Sequence, residues 1–188
     1  RPEEQLKDKP EFIVFKKDED KPGTISHDYI LPMFQSKNGT IWIGTMGGGL
    51  NKIIYNSNPE LIRFEAITTE DGLPNDVIKG ILEDDYGFLW VSSNKGLTRY
   101  DVKDNLFVNY GISDGLQDYE FGELACCKLS DGEMLFGGVN GFNAFNPKDI
   151  VSDMSIPKLA LTDFHVLNRS VSPGQKVNGR VVLENVVN

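Results

Sequence analysis

Six polar side chains recur at matched places in this sequence and are its candidate ligand-binding residues. They are His27 and Asp28, Asn75 and Asp76, and Asp118 and Tyr119, reached by steps of 48 and then 43 residues. A position that keeps its place while changing its chemistry fits a recognition surface on a constant scaffold. Other constellations carry less. His27-Asp28 has the residue types of a catalytic dyad, but neighbours in an extended chain point to opposite faces and cannot orient one another. Met46-Gly47-Gly48-Gly49 is Gly-rich, yet no Lys-Ser/Thr follows it and no helix opens there, as a phosphate cradle requires. Asp84-Asp85, with Asp71 and Asp76 before them, lacks the spacing of a twelve-residue calcium loop ending in Glu. Hairpin and Asx turns account for those acids. The expectation is no catalytic residue, no metal and no cofactor.

The elements that would position these residues come from an internal repeat. Gly39-Thr40-Ile41-Trp42-Ile43-Gly44-Thr45 returns as Gly87-Phe88-Leu89-Trp90-Val91-Ser92-Ser93 and again, more worn, as Gly132-Glu133-Met134-Leu135-Phe136-Gly137-Gly138. Asp71-Gly72-Leu73 matches Asp114-Gly115-Leu116, and Phe64 matches Phe107 at the same step of 43. Gly49-Leu50-Asn51, Gly96-Leu97-Thr98 and Gly141-Phe142-Asn143 keep the phase. A unit of 43–48 residues repeated three times is the signature of a repeat architecture.

Turn chemistry cuts each unit into four short strands. In the middle unit the strands are Val77–Glu83, Phe88–Ser92, Leu97–Asp101 and Leu106–Tyr110, divided by Asp84–Gly87, Asn94–Gly96 and a polar turn. Gly49, Gly96 and Gly141 close equivalent turns, where a positive φ is expected. The Glu60–Thr69 stretch reads as a strand too, with Ile62, Phe64 and Ala66 alternating with Arg63 and Glu65. Thr40–Ile43 and Phe88–Val91 place apolar groups on both faces, so their sheets must be covered on both sides. Trp42 and Trp90 sit in those segments and are expected in the core rather than at a sugar-stacking surface. Small sheets covered on both faces by similar neighbours are the blades of a β-propeller. The fold class is therefore all-β: a partial propeller of about three four-stranded blades.

Composition bounds the rest. The chain has 188 residues with 19 Lys and Arg against 28 Asp and Glu, a formal charge of −9. So acidic a chain is not expected to bind nucleic acid, which needs a basic stripe. No apolar run reaches the ~20 residues of a membrane span. Cys126 and Cys127 are adjacent, which is far from bridge geometry, and they are expected as free thiols on opposite faces of a strand. They leave the redox compartment open. The chain opens on Arg1, and reads as a piece of something longer. Its domains are 1–150, with repeats at about 11–55, 60–101 and 106–147, and 151–188, where the repeat has stopped.

The repeats resemble the two-component regulator propeller family. Its pattern of Asp-Gly-Leu, strand, Glu/Asp-Asp-x-x-Gly-x-Leu-Trp and a closing Gly-Leu runs from Asp71 through Tyr100. Phe136–Pro147 resembles the family's last blade, with Phe136 standing where a Trp-type strand is usual. Leu159–Asn168 resembles the start of the immunoglobulin-like three-Tyr domain that follows it. The resemblance implies the periplasmic sensor region of a bacterial hybrid two-component system, a histidine kinase and response regulator in one chain. It implies an oligosaccharide ligand, signal relay to transcription and an inner-membrane parent. An enzyme acting on polysaccharides and a protein-interaction scaffold are the competing readings. Three blades leave two apolar faces open, so a homodimer covering them is expected, unless residues 1–20 and 156–188 cap them.

Overall fold

The computed structural model describes residues 12–55 and 61–150, and four dipeptides: 165–166, 169–170, 176–177 and 180–181. Three antiparallel sheets follow one another along the chain. The first is β1 (Ile30–Gln35), β2 (Ile41–Thr45), β3 (Leu50–Ile54) and β4 (Arg63–Ile67) in that order. The second is β5 (Ile78–Glu83), β6 (Leu89–Ser93), β7 (Gly96–Asp101) and β8 (Leu106–Tyr110). The third holds β9 (Phe121–Lys128), β10 (Met134–Gly138) and β11 (Gly141–Phe145). These are the blades. The chain divides into two units, Arg1–Ile150 and Val151–Asn188. In the second, β12 (His165–Val166) pairs with β13 (Arg169–Ser170), and β14 (Lys176–Val177) with β15 (Arg180–Val181). The stretch likened to an immunoglobulin-like start lies mostly outside the described residues.

Among the described residues the third blade has three strands rather than the expected four. After β11, Asn146 accepts a hydrogen bond from the Lys148 N–H at 3.1 Å and opens a 310 turn at Pro147–Asp149. Pro147 has no N–H to give a ladder, and its fixed φ suits the turn instead. The blades and the sequence repeats are also offset. Strands β4 and β8 open the repeats at 60–101 and 106–147, but β4 pairs with β3 and β8 with β7. Each repeat thus begins with the outer strand of the preceding sheet.

The central strands are covered on both faces. β6 is buried along its whole length, and Trp42 and Trp90 are each 1% exposed. Leu89 and Val91 pack toward the first blade with Trp42, Leu50, Ile78 and Tyr100. Trp90, on the opposite face, packs toward the third with Leu97, Phe121, Met134 and Phe136. Counting from the turn glycines Gly87 and Gly132, Leu135 rather than Phe136 takes the place of Trp90. Phe136 sits where Val91 does, opposite Cys126 as Val91 is opposite Ile81. Cys126 and Cys127 are free thiols in β9. Burial pushes the Cys126 thiol pKa up, which makes it a packing group rather than a nucleophile.

Polar contacts fix how the hairpins sit. Asp84 is 1% exposed and accepts from the Trp90 indole N–H at 2.9 Å and from the Tyr86 and Phe88 amides. In the first blade, the Ser36 hydroxyl accepts from the Trp42 indole at 3.1 Å. Asp85 bridges blades instead. It accepts from Lys37 at 3.0 Å and from Lys128 at 2.9 Å, while Lys128 also donates to the Glu83 carbonyl. At the opposite ends, Gly49 and Gly96 have φ of 75° and 98°, and Gly141 has 98°. A Cβ at Gly49 or Gly96 would drive into the carbonyl oxygen of Ile67 or Tyr110. Both positions need glycine for space as well as conformation.

Two outcomes follow from this packing. Trp90→Ala should cost about 3–5 kcal/mol of unfolding free energy. Asp84→Ala orphans the buried indole and should cost ~1–3 kcal/mol for that group alone. A double-mutant cycle of Asp84→Ala with Trp90→Phe, followed by chemical denaturation, should show coupling of at least ~0.5 kcal/mol. No coupling would mean that the indole bond is incidental. Lys128 and Lys37 hold the Asp85 carboxyl down from 3.8 to about 2. Its folded pKa is depressed, so its stabilising effect is present above pH 3.8 and lost as pH falls toward 2. Asp85→Asn should therefore flatten the acid limb of the stability curve between those values, and do so less at high salt.

Candidate functional site

The six candidate residues occupy one position in each blade, the loop that leads into its first strand. That loop lies at the same end as the turn between second and third strands, and away from the Asp85 ion pairs. The first member of each pair holds its own loop. His27 Nδ1 accepts from the Tyr29 N–H at 3.0 Å, and Asn75 Oδ1 from the Val77 N–H at 2.9 Å. Asp118 Oδ1 accepts from the Tyr119 N–H at 2.7 Å. The three chemistries share one local job, which is to satisfy an amide as the chain enters the sheet.

In the second and third blades the second member works through its backbone. The Asp76 carbonyl accepts from Gly47 at 3.1 Å and Gly49 at 2.9 Å in the preceding blade's turn. The Tyr119 carbonyl accepts from Gly96 at 2.7 Å in the same way. The Gly-rich run Met46–Gly49 is thus the turn held by the next blade. Side chains at this position are freer. Asp28 is exposed and accepts from the Lys17 amide at 2.7 Å, and Tyr119 is 48% exposed. Asp76 is half-buried and takes both the amide and the hydroxyl of Thr69. Asp71 does the same for Thr68. The hydrogen bonds of the six run within their own loops or through the backbone pins, not from one pair's side chains to another's.

A further polar group ties each loop to the third strand of its own blade. Asn51 holds Ser26 through both its amide atoms, at 3.1 Å and 2.6 Å. Asn143 accepts from the Gln117 N–H and donates to the Gly115 carbonyl. In the middle blade Thr98 stands at that position, and Asn109 of β8 completes the reach, donating to the Gly72 carbonyl at 3.1 Å. The loops are therefore held from two sides.

Sequence reasoning missed two features beside these loops. Each first strand is bulged: the pairing slips between Ile30 and Met33, between Ile78 and Gly80, and between Phe136 and Gly138. In the middle blade the extra residue is Lys79, 7% exposed and paired with Glu123 of the next blade at 3.1 Å. In the third blade Leu124 takes a φ of 57° and stays 63% exposed, a costly conformation for a non-glycine residue. A cation interrupting the apolar run Val77–Leu82 was the available signal. Nothing in the residue order marks Leu124.

Comparison with known proteins bears on this arrangement. The family model "two component regulator propeller" matches residues 72–95, from the middle blade's lead-in loop to the turn before β7. Over 112 residues the chain is 32% identical to histidine kinase P4 of Formosa agariphila, covering 59% of this chain and 8% of that protein. Its fold is similar, with a TM-score of 0.51 at 20% identity, to a solved B. thetaiotaomicron protein, BT3049. That protein is described as the extracellular domain of a hybrid two component system; the likeness covers 86% of this chain and 28% of that one. The chain spans only a small part of either relative. Among the described residues no helix is long and apolar enough to cross a membrane. The family match thus falls on the middle blade, while the likeness in fold extends over most of the chain.

Proposed function

We propose that these blades are part of the ligand-sensing region of a bacterial hybrid two-component system, and that they bind rather than catalyse. The observation that carries this reading is the division of labour in the lead-in loops. Backbone atoms of Asp76 and Tyr119 hold neighbouring blades together, while the side chains at those places vary without disturbing the scaffold. Variable chemistry on pinned backbone is how a recognition surface diversifies. The ligand class is oligosaccharide. His, Asn, Asp and an exposed Tyr supply hydrogen-bond partners for sugar hydroxyls and an aromatic face for a ring. A glycan fragment would be sensed in the periplasm by the ectodomain of an inner-membrane protein. Its binding would favour one arrangement of the parent and so drive the kinase and its transcriptional output. A homodimer is the expected state of that parent. The matches to a histidine kinase and to an extracellular domain support this placement.

Calorimetric titration of the chain, and of the parent sensor, with neutral and uronic-acid oligosaccharides tests the reading. Binding by at least one series is expected, with Tyr119→Ala weakening it about tenfold, on the order of 1.4 kcal/mol. Unchanged affinity in Tyr119→Ala, Asp28→Ala and Asn75→Ala together would remove the loops from the site. Cleavage of the oligomers during titration would favour a polysaccharide-active enzyme instead.

A further inference from the structure

A buried polar atom at the loop end of the middle blade has no partner. Asn94 stands in the turn between β6 and β7, and its Oδ1 is shielded from solvent without a hydrogen bond. Among the described residues the Tyr110 hydroxyl is the only other such side-chain atom, and that ring is stacked on Trp90 in the core. Every other asparagine among them holds a hydrogen bond of the scaffold through its side chain. The Asn94 side chain holds none. Its backbone is not left-handed either, the conformation for which turns select asparagine. The turn is closed without it, because the Ser93 hydroxyl accepts from the Lys95 N–H and donates to the Gly96 carbonyl. Directly after the second strand the first and third blades carry Met46 and Val139, which need no partner. The amide is therefore something the turn does not require.

That turn lies between two of the lead-in loops. Ser93 pairs with Ile78, just after the loop of Asn75 and Asp76, and the Gly96 N–H reaches the Tyr119 carbonyl of the next loop. Side chains clamp the same two loops. Lys79 joins β5, three residues after Asp76, to Glu123 of β9, four residues after Tyr119. The reach comes from the bulge in β9, which is larger than those of β1 and β5. A single residue of β10, Gly137, faces four residues of β9, Gly122–Ala125, and these include the left-handed Leu124. Such a conformation persists where surrounding contacts over-determine it, and the Lys79–Glu123 pair beside it is one of them. The pair thereby fixes the spacing of the loops on either side of Asn94.

We propose that Asn94 is the centre of the recognition surface, its Oδ1 accepting a hydrogen bond from a hydroxyl of a neutral sugar. Lys79 and Glu123 are positioning residues that hold the flanking loops. The inference rests on the sensing role proposed above and says where on the blades that role is played. An amide oxygen accepts and cannot donate, so a carboxylate or sulfate group offers it nothing, whereas a sugar hydroxyl does. Desolvated and unpaired, the oxygen lowers the stability of the free protein, and a hydroxyl bound there removes that penalty. A site built around such an acceptor also rejects the analogue that lacks the hydroxyl, because the oxygen is then left unpaired.

The experiment is calorimetric titration of the 188-residue chain with neutral hexasaccharides of glucose, xylose, mannose and galactose, and with uronic-acid oligomers. A neutral sugar should bind, and Asn94→Leu should weaken that binding about tenfold or more while Tm stays unchanged or rises. Affinity and stability moving in opposite directions mark a binding residue, whereas a scaffold residue loses both. Among monodeoxy analogues of the bound sugar, one should bind the native chain more weakly and lose nothing further in Asn94→Leu. Glu123→Gln should also weaken binding and speed hydrogen exchange of the Gly96 amide, while Lys79→Arg, which keeps the pair, should restore neither defect to the chain. Binding by neither series overturns the sensing role and this inference together. Binding of uronic-acid oligomers alone leaves the sensing role standing and overturns the inference. So does binding that Asn94→Leu leaves unchanged, or a Tm that it lowers. Native affinity and native Gly96 exchange in Glu123→Gln overturn the positioning role of the pair.

Discussion

A small antiparallel sheet with apolar groups on both faces cannot stand alone in water, and this constraint shapes the whole molecule. A four-stranded sheet has too few residues to cover either face itself, so each blade must be covered by a neighbour on each side. Strand β6 shows the result. Leu89 and Val91 serve one interface and Trp90 the other, with every residue of the strand buried. Along β6 no room remains at mid-strand for a charged group. Most of the carboxylates, amides and turn glycines stand at the strand ends, where they hold turns or link one blade to the next.

The two ends do different work, and magnitudes separate them. Asp85 with Lys37 and Lys128 joins three blades, with Asp85 and Lys37 open to solvent and Lys128 mostly covered. Ion pairs with such exposed members contribute little and fade with salt. They set the order and spacing of blades more than their stability, which resides in aromatic cores such as Trp90 with Phe145 and Tyr110. At the other end the links are backbone to backbone, from Gly47, Gly49 and Gly96 to the carbonyls of Asp76 and Tyr119. They make no demand on side-chain identity. That position can therefore differ, as Asp76 and Tyr119 do, without cost to the fold.

The blade pattern was legible because it rests on local chemistry repeated along the chain. Trp42 and Trp90 on doubly apolar strands, turn glycines in phase and the Phe64–Phe107 step all report burial or backbone conformation, which residue type encodes directly. The strand at Arg63–Ile67 was legible for the same reason. What escaped was relational. The repeat shows where strands fall but not which sheet receives them, so β4 and β8 could be placed only once pairing was seen. Pro147 marked a stop without showing that, among the described residues, β11 is the last strand of its sheet. For the six loop residues, sequence marked a shared position, and the hydrogen bonds of His27, Asn75 and Asp118 then gave that position a structural task. The Asp84–Trp90 bond lay within a recognised motif, but six residues of separation say nothing of contact until the hairpin folds them together.

The backbone pins also bound how a ligand at the loops could act at a distance. Under the proposed sensing role, a ligand that moves Asp76 moves the carbonyl that holds Gly47 and Gly49 of the preceding blade. Each such hydrogen bond is worth about 0.5–1.5 kcal/mol net. A pair of them therefore limits the coupling carried through this route to roughly 1–3 kcal/mol, which is the usual size of coupling between distant sites. The aromatic cores between blades are too well packed to yield by degrees, so a response must be a shift between two arrangements. The loop end is where such a shift costs least, because the links between blades there are a few backbone hydrogen bonds rather than packed cores. A repeat array built this way keeps recognition and relay in the same few residues of each blade, and leaves the cores alone.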